Sequence, residues 1–174
     1  NANGGTWIFD LTADVTFTSH QPDTFFRMIF QPTSGNNDMT ITAGDEFVVA
    51  QALFLEQAGI FNGTIRILDS LEINAGYDNN GSADIYFEGS ADGTFVSNST
   101  DNDHDYFINK ANSALRVDAL DENGGVLNFG SVNTDLTIIE GRLEFPSNDP
   151  VNSAFSNTNL ELGGTFQAPS GTIN

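Results

Sequence analysis

The sequence predicts an all-β chain wound as a parallel β-helix, a solenoid of short stacked coils. Three observations lead there. First, apolar-polar-apolar pulses recur with Gly, Asn or Asp between them: Leu127-Asn128-Phe129, Leu136-Thr137-Ile138-Ile139, Leu143-Glu144-Phe145 and Leu160-Glu161-Leu162. Period-two alternation puts the apolar side chains on one face of a strand. Second, such short strands bury too little to stand alone and need like neighbours above and below. Third, successive units recur roughly every 18–25 residues, a spacing typical of solenoid repeats.

Taken in order, Thr6–Leu11 and Asp14–Thr18 read as strands, and Phe25–Phe30 as a denser strand buried on both faces and bracketed by Pro22 and Pro32. Terminal repeats of stacked proteins are atypical because one face lacks a neighbour. Residues 1–38 are therefore expected to form irregular strands or a cap, and residues 39–174 the solenoid turns, continuing beyond this segment. Both ends, Asn1–Thr6 and Ser170–Asn174, read as cuts from a longer chain. From Met39 the pulses become regular, through Met39–Thr42, Phe47–Val49, Leu53–Leu55, Thr64–Leu68, Leu71–Asn74, Asp84–Glu88 and Thr94–Val96. Phe47–Leu55 is the best helical candidate, but it is too rich in aromatic and β-branched residues and reads as strand. Loops of unequal length interrupt the turns, notably Ser97–Asp105 and Asn148-Asp149-Pro150. The competing fold is an antiparallel β-sandwich, with Asn79-Asn80-Gly81 and Asn123-Gly124 as the places where hairpins would form.

Charge and composition narrow the function classes. The chain has 24 acids against 5 bases, a net charge of -19. That balance opposes nucleic acid and anionic membrane surfaces and suits calcium or cationic partners. There is no cysteine, hence no disulfide framework, thiolate metal site or cysteine nucleophile. No apolar run approaches the roughly 20 residues of a membrane helix.

The segment from Leu160 to Ile173, LELGGTFQAPSGTI, resembles a repeat of large secreted surface proteins of Bacteroidetes-type bacteria and a turn of right-handed β-helical adhesin stalks. Glu140-Gly141-Arg142-Leu143 has the same strand-Gly-strand grammar. The resemblance covers the last 60 or so residues well and 39–110 loosely. It implies a right-handed β-helix in a secreted, extended cell-surface protein of structural or adhesive use, and it carries no catalytic residues.

Candidate sites are few. Asp101, Asp103 and Asp105 alternate in one loop, and alternate carboxylates can converge on calcium, which takes six to eight oxygens. An EF-hand is excluded, since Tyr106 and Asn112 stand where Gly and Glu are required. His20 and His104 sit in polar, loop-like surroundings, and no Gly-x-Ser-x-Gly elbow supports a triad. Arg66, Arg116 and Arg142 each flank an apolar pulse and would line a groove if they stacked on successive turns. Trp7, Tyr77, Tyr86 and Tyr106 are candidates for a sugar-stacking platform, whereas the Phe residues read as core. Thr16-Phe17-Thr18 and Thr40-Ile41-Thr42 have the Thr-x-Thr form of an ice-binding face, but two copies do not make an array.

The expectation is a non-catalytic structural or adhesive segment of a large secreted cell-surface protein. Surface glycans, other cell-surface proteins and neighbouring repeats of the same chain are its expected partners. The alternative is a carbohydrate-active β-helical enzyme or carbohydrate-binding module.

Overall fold

The computed structural model describes residues 4–19, 22–32, 37–57, 59–74, 81–97, 103–118, 127–128, 134–144, 151–152, 157–160 and 164–167. Its strands, in chain order, are β1 (Thr6–Phe9), β2 (Val15–Phe17), β3 (Asp23–Phe30), β4 (Met39–Ile41), β5 (Glu46–Leu55), β6 (Ile60–Phe61), β7 (Thr64–Ile67) and β8 (Ser70–Ile73). They continue with β9 (Asp84–Glu88), β10 (Gly93–Ser97), β11 (Tyr106–Asp118), β12 (Leu127–Asn128), β13 (Asp135–Glu144), β14 (Val151–Asn152), β15 (Asn157–Leu160) and β16 (Gly164–Gln167).

Every strand pairs in parallel with a strand one coil away. The chain is a parallel β-helix, and the antiparallel sandwich is ruled out for the described residues. Hairpins pair neighbouring strands head to tail, whereas here β7 skips to β9 and β8 to β10. Of the two hairpin candidates, only Gly81 lies among the described residues.

Three faces run along the axis. The first carries the N-terminal halves of β3, β5, β11 and β13 with β7, β9 and β15. The second carries the C-terminal halves of those long strands with β1, β8, β10 and β16. The third holds β2, β4 and β6 in one small sheet, and β12 pairs with β14 in another. The corner between the first two faces lies inside the long strands, where the register slips between Phe25 and Arg27, and between Ile108 and Ala114. Phe47–Val49 and Leu53–Leu55 are thus the two arms of one bent strand. Pro22 and Pro32 lie just outside β3, where a missing N–H breaks no ladder bond.

The core is made of ladders. Phe47, Ile65, Ile85, Tyr106 and Leu136 stack on the first face, and Met28, Leu53, Leu71, Phe95 and Val117 on the second. All are buried. Burying such side chains is worth about 1.5–3 kcal/mol each, so the ladders carry most of the stability. Alternation in the sequence predicts that Leu115, Val117, Leu136, Ile138 and Leu143, with Phe129, Phe145 and Leu162, point inward, and the first five do. Phe129, Phe145 and Leu162 lie outside the described residues.

Strands within residues 1–38 already follow this plan, since β1 pairs with β3 and β2 with β4. What sets the first coil apart is exposure. Phe9, Leu11 and Phe17 are only partly buried, and Trp7, Ile8 and Val15 are exposed.

Candidate functional site

On the outer surface of the first face, polar and aromatic side chains line up from coil to coil. Alternation sends Arg66 of β7, Tyr86 of β9 and Phe107 of β11 outward in one register column. Arg66 Nε donates to Glu46 one coil below and its Nη1 to Glu88 one coil above, both at 2.7 Å. The Glu46 hydrogen bond chiefly, with both carboxylate charges adding, raises the guanidinium pKa above its ordinary value against the effect of burial. Arg66 also lies over the Tyr86 ring at 5.0 Å, and Phe107 stacks on the other side at 4.3 Å, within 7° of parallel. Both ring faces of Tyr86 are therefore covered within the column, and only its edge meets solvent.

This removes Tyr86 from the expected sugar platform. A saccharide stacks on an open ring face, and Tyr86 has none. Tyr106 points inward and is fully buried between Phe87, Phe95 and His104. Trp7 is exposed, but on the first coil, far along the ladder. Tyr77 lies outside the described residues. Phe107, assigned to the core from the sequence, is the outward residue. The available signal was the parallel between Asp84-Ile85-Tyr86-Phe87 and Asp105-Tyr106-Phe107-Ile108, which align residue for residue.

The arginines do not form one row. Arg66 is on the first face, whereas Arg116 and Arg142 are on the second. Arg116 pairs with Asp92 at 2.7 Å and Glu144 at 3.1 Å, and Arg142 also reaches Glu144. Hydrogen bonds from Arg142 and Arg116 hold the Glu144 carboxyl below its ordinary pKa in spite of some burial. Replacing Arg66 with Gln should lower stability by about 1 kcal/mol in dilute buffer and by less in high salt, as read from denaturant melts at two NaCl concentrations.

Many aspartates bond backbone N–H groups of neighbouring coils. Asp14 accepts from Asp38 N–H at 3.1 Å, Asp38 from Gly59 at 2.8 Å, and Asp45 from Ser19 at 2.9 Å. Asp92 accepts from Ala114 at 3.0 Å, and Asp105 from Asp135 at 2.7 Å. Part of the acid excess thus closes strand ends, and in the case of Asp92 the corner inside β11, where ladder bonds stop. Of the candidate calcium ligands, Asp103 and Asp105 flank the inward His104, and Asp101 lies outside the described residues. Among the described residues no three His, Asp, Glu or Cys side chains gather to hold a metal.

Two buried bases were not anticipated in these roles. Lys110 is fully buried at the corner, donating to Glu88 O at 2.8 Å and Leu68 O at 3.3 Å. Burial pushes its pKa down, while the charges of Asp69 and Asp92 pull it up. His104 is fully buried, its Nδ1 2.9 Å from Ala83 O. A Cβ on Gly81 would lie 2.5 Å from the His104 Cε1, so glycine makes the room. His20 lies outside the described residues.

Burial lowers the His104 pKa to about 4, against smaller opposing effects of the Ala83 hydrogen bond and of Asp103 and Asp105. The unfolded chain therefore takes up a proton near pH 6.5 that the folded chain refuses until about pH 4. Stability from this group is complete above pH 6.5 and falls by about 3 kcal/mol on the way down to pH 4. Glu72 and Asp84, raised chiefly by burial, act in the opposite direction. Melts of the parent and of His104→Gln across this range should show a steeper acid decline in the parent. Parallel curves would place the ring in solvent.

The Thr-x-Thr motifs do fall in register, with Thr16 beside Thr40. Thr18 and Thr42 hydroxyls bond one another at 2.9 Å, and the next position in the Thr40 column is Phe61. No protein-family model, curated protein or solved structure matches this chain. Among the described residues no helix is long and apolar enough to cross a membrane.

Proposed function

We propose that this chain is a non-catalytic structural or adhesive segment of a large secreted cell-surface protein, with surface glycans or other surface proteins as its partners. One observation carries the reading: the Arg66, Tyr86, Lys110 and Arg116 side chains, which could serve chemistry or recognition, join coil to coil. Arg66 and Arg116 each bridge carboxylates from the coils on either side, and Tyr86 is sandwiched within its own column. Lys110 serves backbone carbonyls. Such a use of charge and aromatic surface suits a rod that holds its length. The repeat-like segment Leu160–Ile173 supports an extracellular setting.

The test is antibody labelling of intact source cells with serum raised against this chain, together with incubation of the purified chain with a panel of polysaccharides. Labelling before permeabilisation and no turnover are expected. Labelling only after permeabilisation would overturn the surface assignment, and release of reducing or unsaturated ends would move the chain to the carbohydrate-active class.

A further inference from the structure

We propose that Arg27, on the outer surface of the second face, binds the carboxylate of an acidic saccharide. The chain has five bases: Arg27, Arg66, Lys110, Arg116 and Arg142. Arg66, Arg116 and Arg142 pair with carboxylates, and Lys110 serves backbone carbonyls. Arg27 has neither, in a chain with 24 acids. Its Nε is buried with no acceptor. Its terminal nitrogens also lack an acceptor and, unlike Nε, face solvent. A donor stripped of water and left unpaired lowers stability, and this fold satisfies its other bases.

The guanidinium is held in place. Arg27 lies over the Phe54 ring at 5.4 Å. β3 has a strand on either side, with Thr6 of β1 and Ala52 of β5 beside Arg27. The position is therefore set by coils above and below. A guanidinium laid on a ring keeps its outer edge free, and that edge is a fork of N–H groups matched to a carboxylate.

The neighbours of Arg27 narrow the ligand. Ile29, Phe54 and Glu72 follow one another in one outward register column. Glu72 has no cation or donor of its own, and burial first, then the charge of Glu56, raises its carboxyl pKa. The patch thus offers a donor fork, an apolar strip and an acceptor. A uronate ring carries the counterparts: one carboxylate, a C–H face and hydroxyl donors. A single negative charge also suits this surface. A chain of charge -19 repels polyanions, and a phosphate would bring a second charge towards Glu72. The inference deepens the glycan side of the adhesive reading and rests on it.

Four arginines give four Nε–H cross-peaks in an NMR spectrum of the chain. Methyl glucuronoside should move the Arg27 peak saturably and leave those of Arg66, Arg116 and Arg142 in place. Methyl glucoside, with a hydroxymethyl group in place of the carboxylate, should bind about tenfold more weakly or worse. Arg27→Gln should lose the uronide to the same degree with far-UV circular dichroism unchanged, and Arg27→Lys, which keeps the charge without the fork, should fall between. Sodium acetate and a Glu-rich peptide should both bind more weakly than the uronide. An unmoved Arg27 peak, or equal binding of methyl glucoside, would overturn the proposal. So would acetate or the peptide binding as tightly as the uronide, since the site would then take a bare carboxylate or an acidic protein surface. Surface labelling of intact cells with an unmoved Arg27 peak would remove this site alone. A moved peak with labelling only after permeabilisation would uphold the site and remove the surface assignment.

Discussion

Leu136→Asp is expected to cost about 3–5 kcal/mol and to leave much of the chain unfolded at room temperature. Leu136 is 2% exposed, stacked between Tyr106 and the backbone position of Thr158 in the first-face ladder. A carboxylate there has no partner and must ionise in an apolar column or take up a proton. The loss should accordingly shrink when the melt is repeated in acid, where the Asp is neutral. A thermal melt matching the parent would mean that residue 136 faces solvent and the register is off by one.

Gly141→Ala should be nearly as severe, for a backbone reason. Gly141 sits at the corner with φ +95°, and a Cβ there would lie 2.2 Å from Lys110 O and 3.0 Å from Ser113 O. Both obstacles are backbone atoms of the coil below and cannot swing aside. Strain from the positive φ alone costs about 1 kcal/mol, and the clash should bring the total to about 3 kcal/mol or more. Gly4→Ala is the control, since Gly4 has φ +72° but open space around it. Chemical denaturation of both variants should show a small change for Gly4→Ala and a large one for Gly141→Ala. Equal changes would leave the corner without its close approach.

How much of this was legible follows from what short-range pattern can encode. Alternation in Asp84–Glu88 and Leu136–Ile138 gave the inward set and, with the absence of hairpin geometry, the parallel stack. The same pattern failed at Asp103–Ile108. There, four bulky residues within six leave the phase open, and only the coil below decides that Tyr106 goes in and Phe107 out. Arg66, Arg116 and Arg142 all flank apolar pulses, yet the bend within each long strand divides them between two faces. That bend falls where the register slips between Ile108 and Ala114, and its local marks are single residues, Asn112 with φ 59° in β11 and Gly141 with φ 95° in β13. Lys110 left no signal, because a lysine serving carbonyls of other coils looks in sequence like any polar residue near a turn. The aspartates looked like a solvated surface for the same reason: their partners are 20 to 30 residues away.

The reach of Lys110 changes how the solenoid should come apart. A stack in which each coil touches only its neighbours behaves as a one-dimensional chain of coupled units, and it frays freely from either end. Lys110 bonds Glu88 in the adjacent coil and Leu68 in the coil beyond it. Removing the coil of β11 thus disturbs two others at once, while Arg66 ties the coils of β5, β7 and β9 together. Arg116 does the same for the coils of β10, β11 and β13, so the coils from β5 to β13 form a block with second-neighbour coupling, flanked by the end coils. Fraying that starts at β1 or at β16 should halt at the borders of that block, and the block itself should melt as one unit.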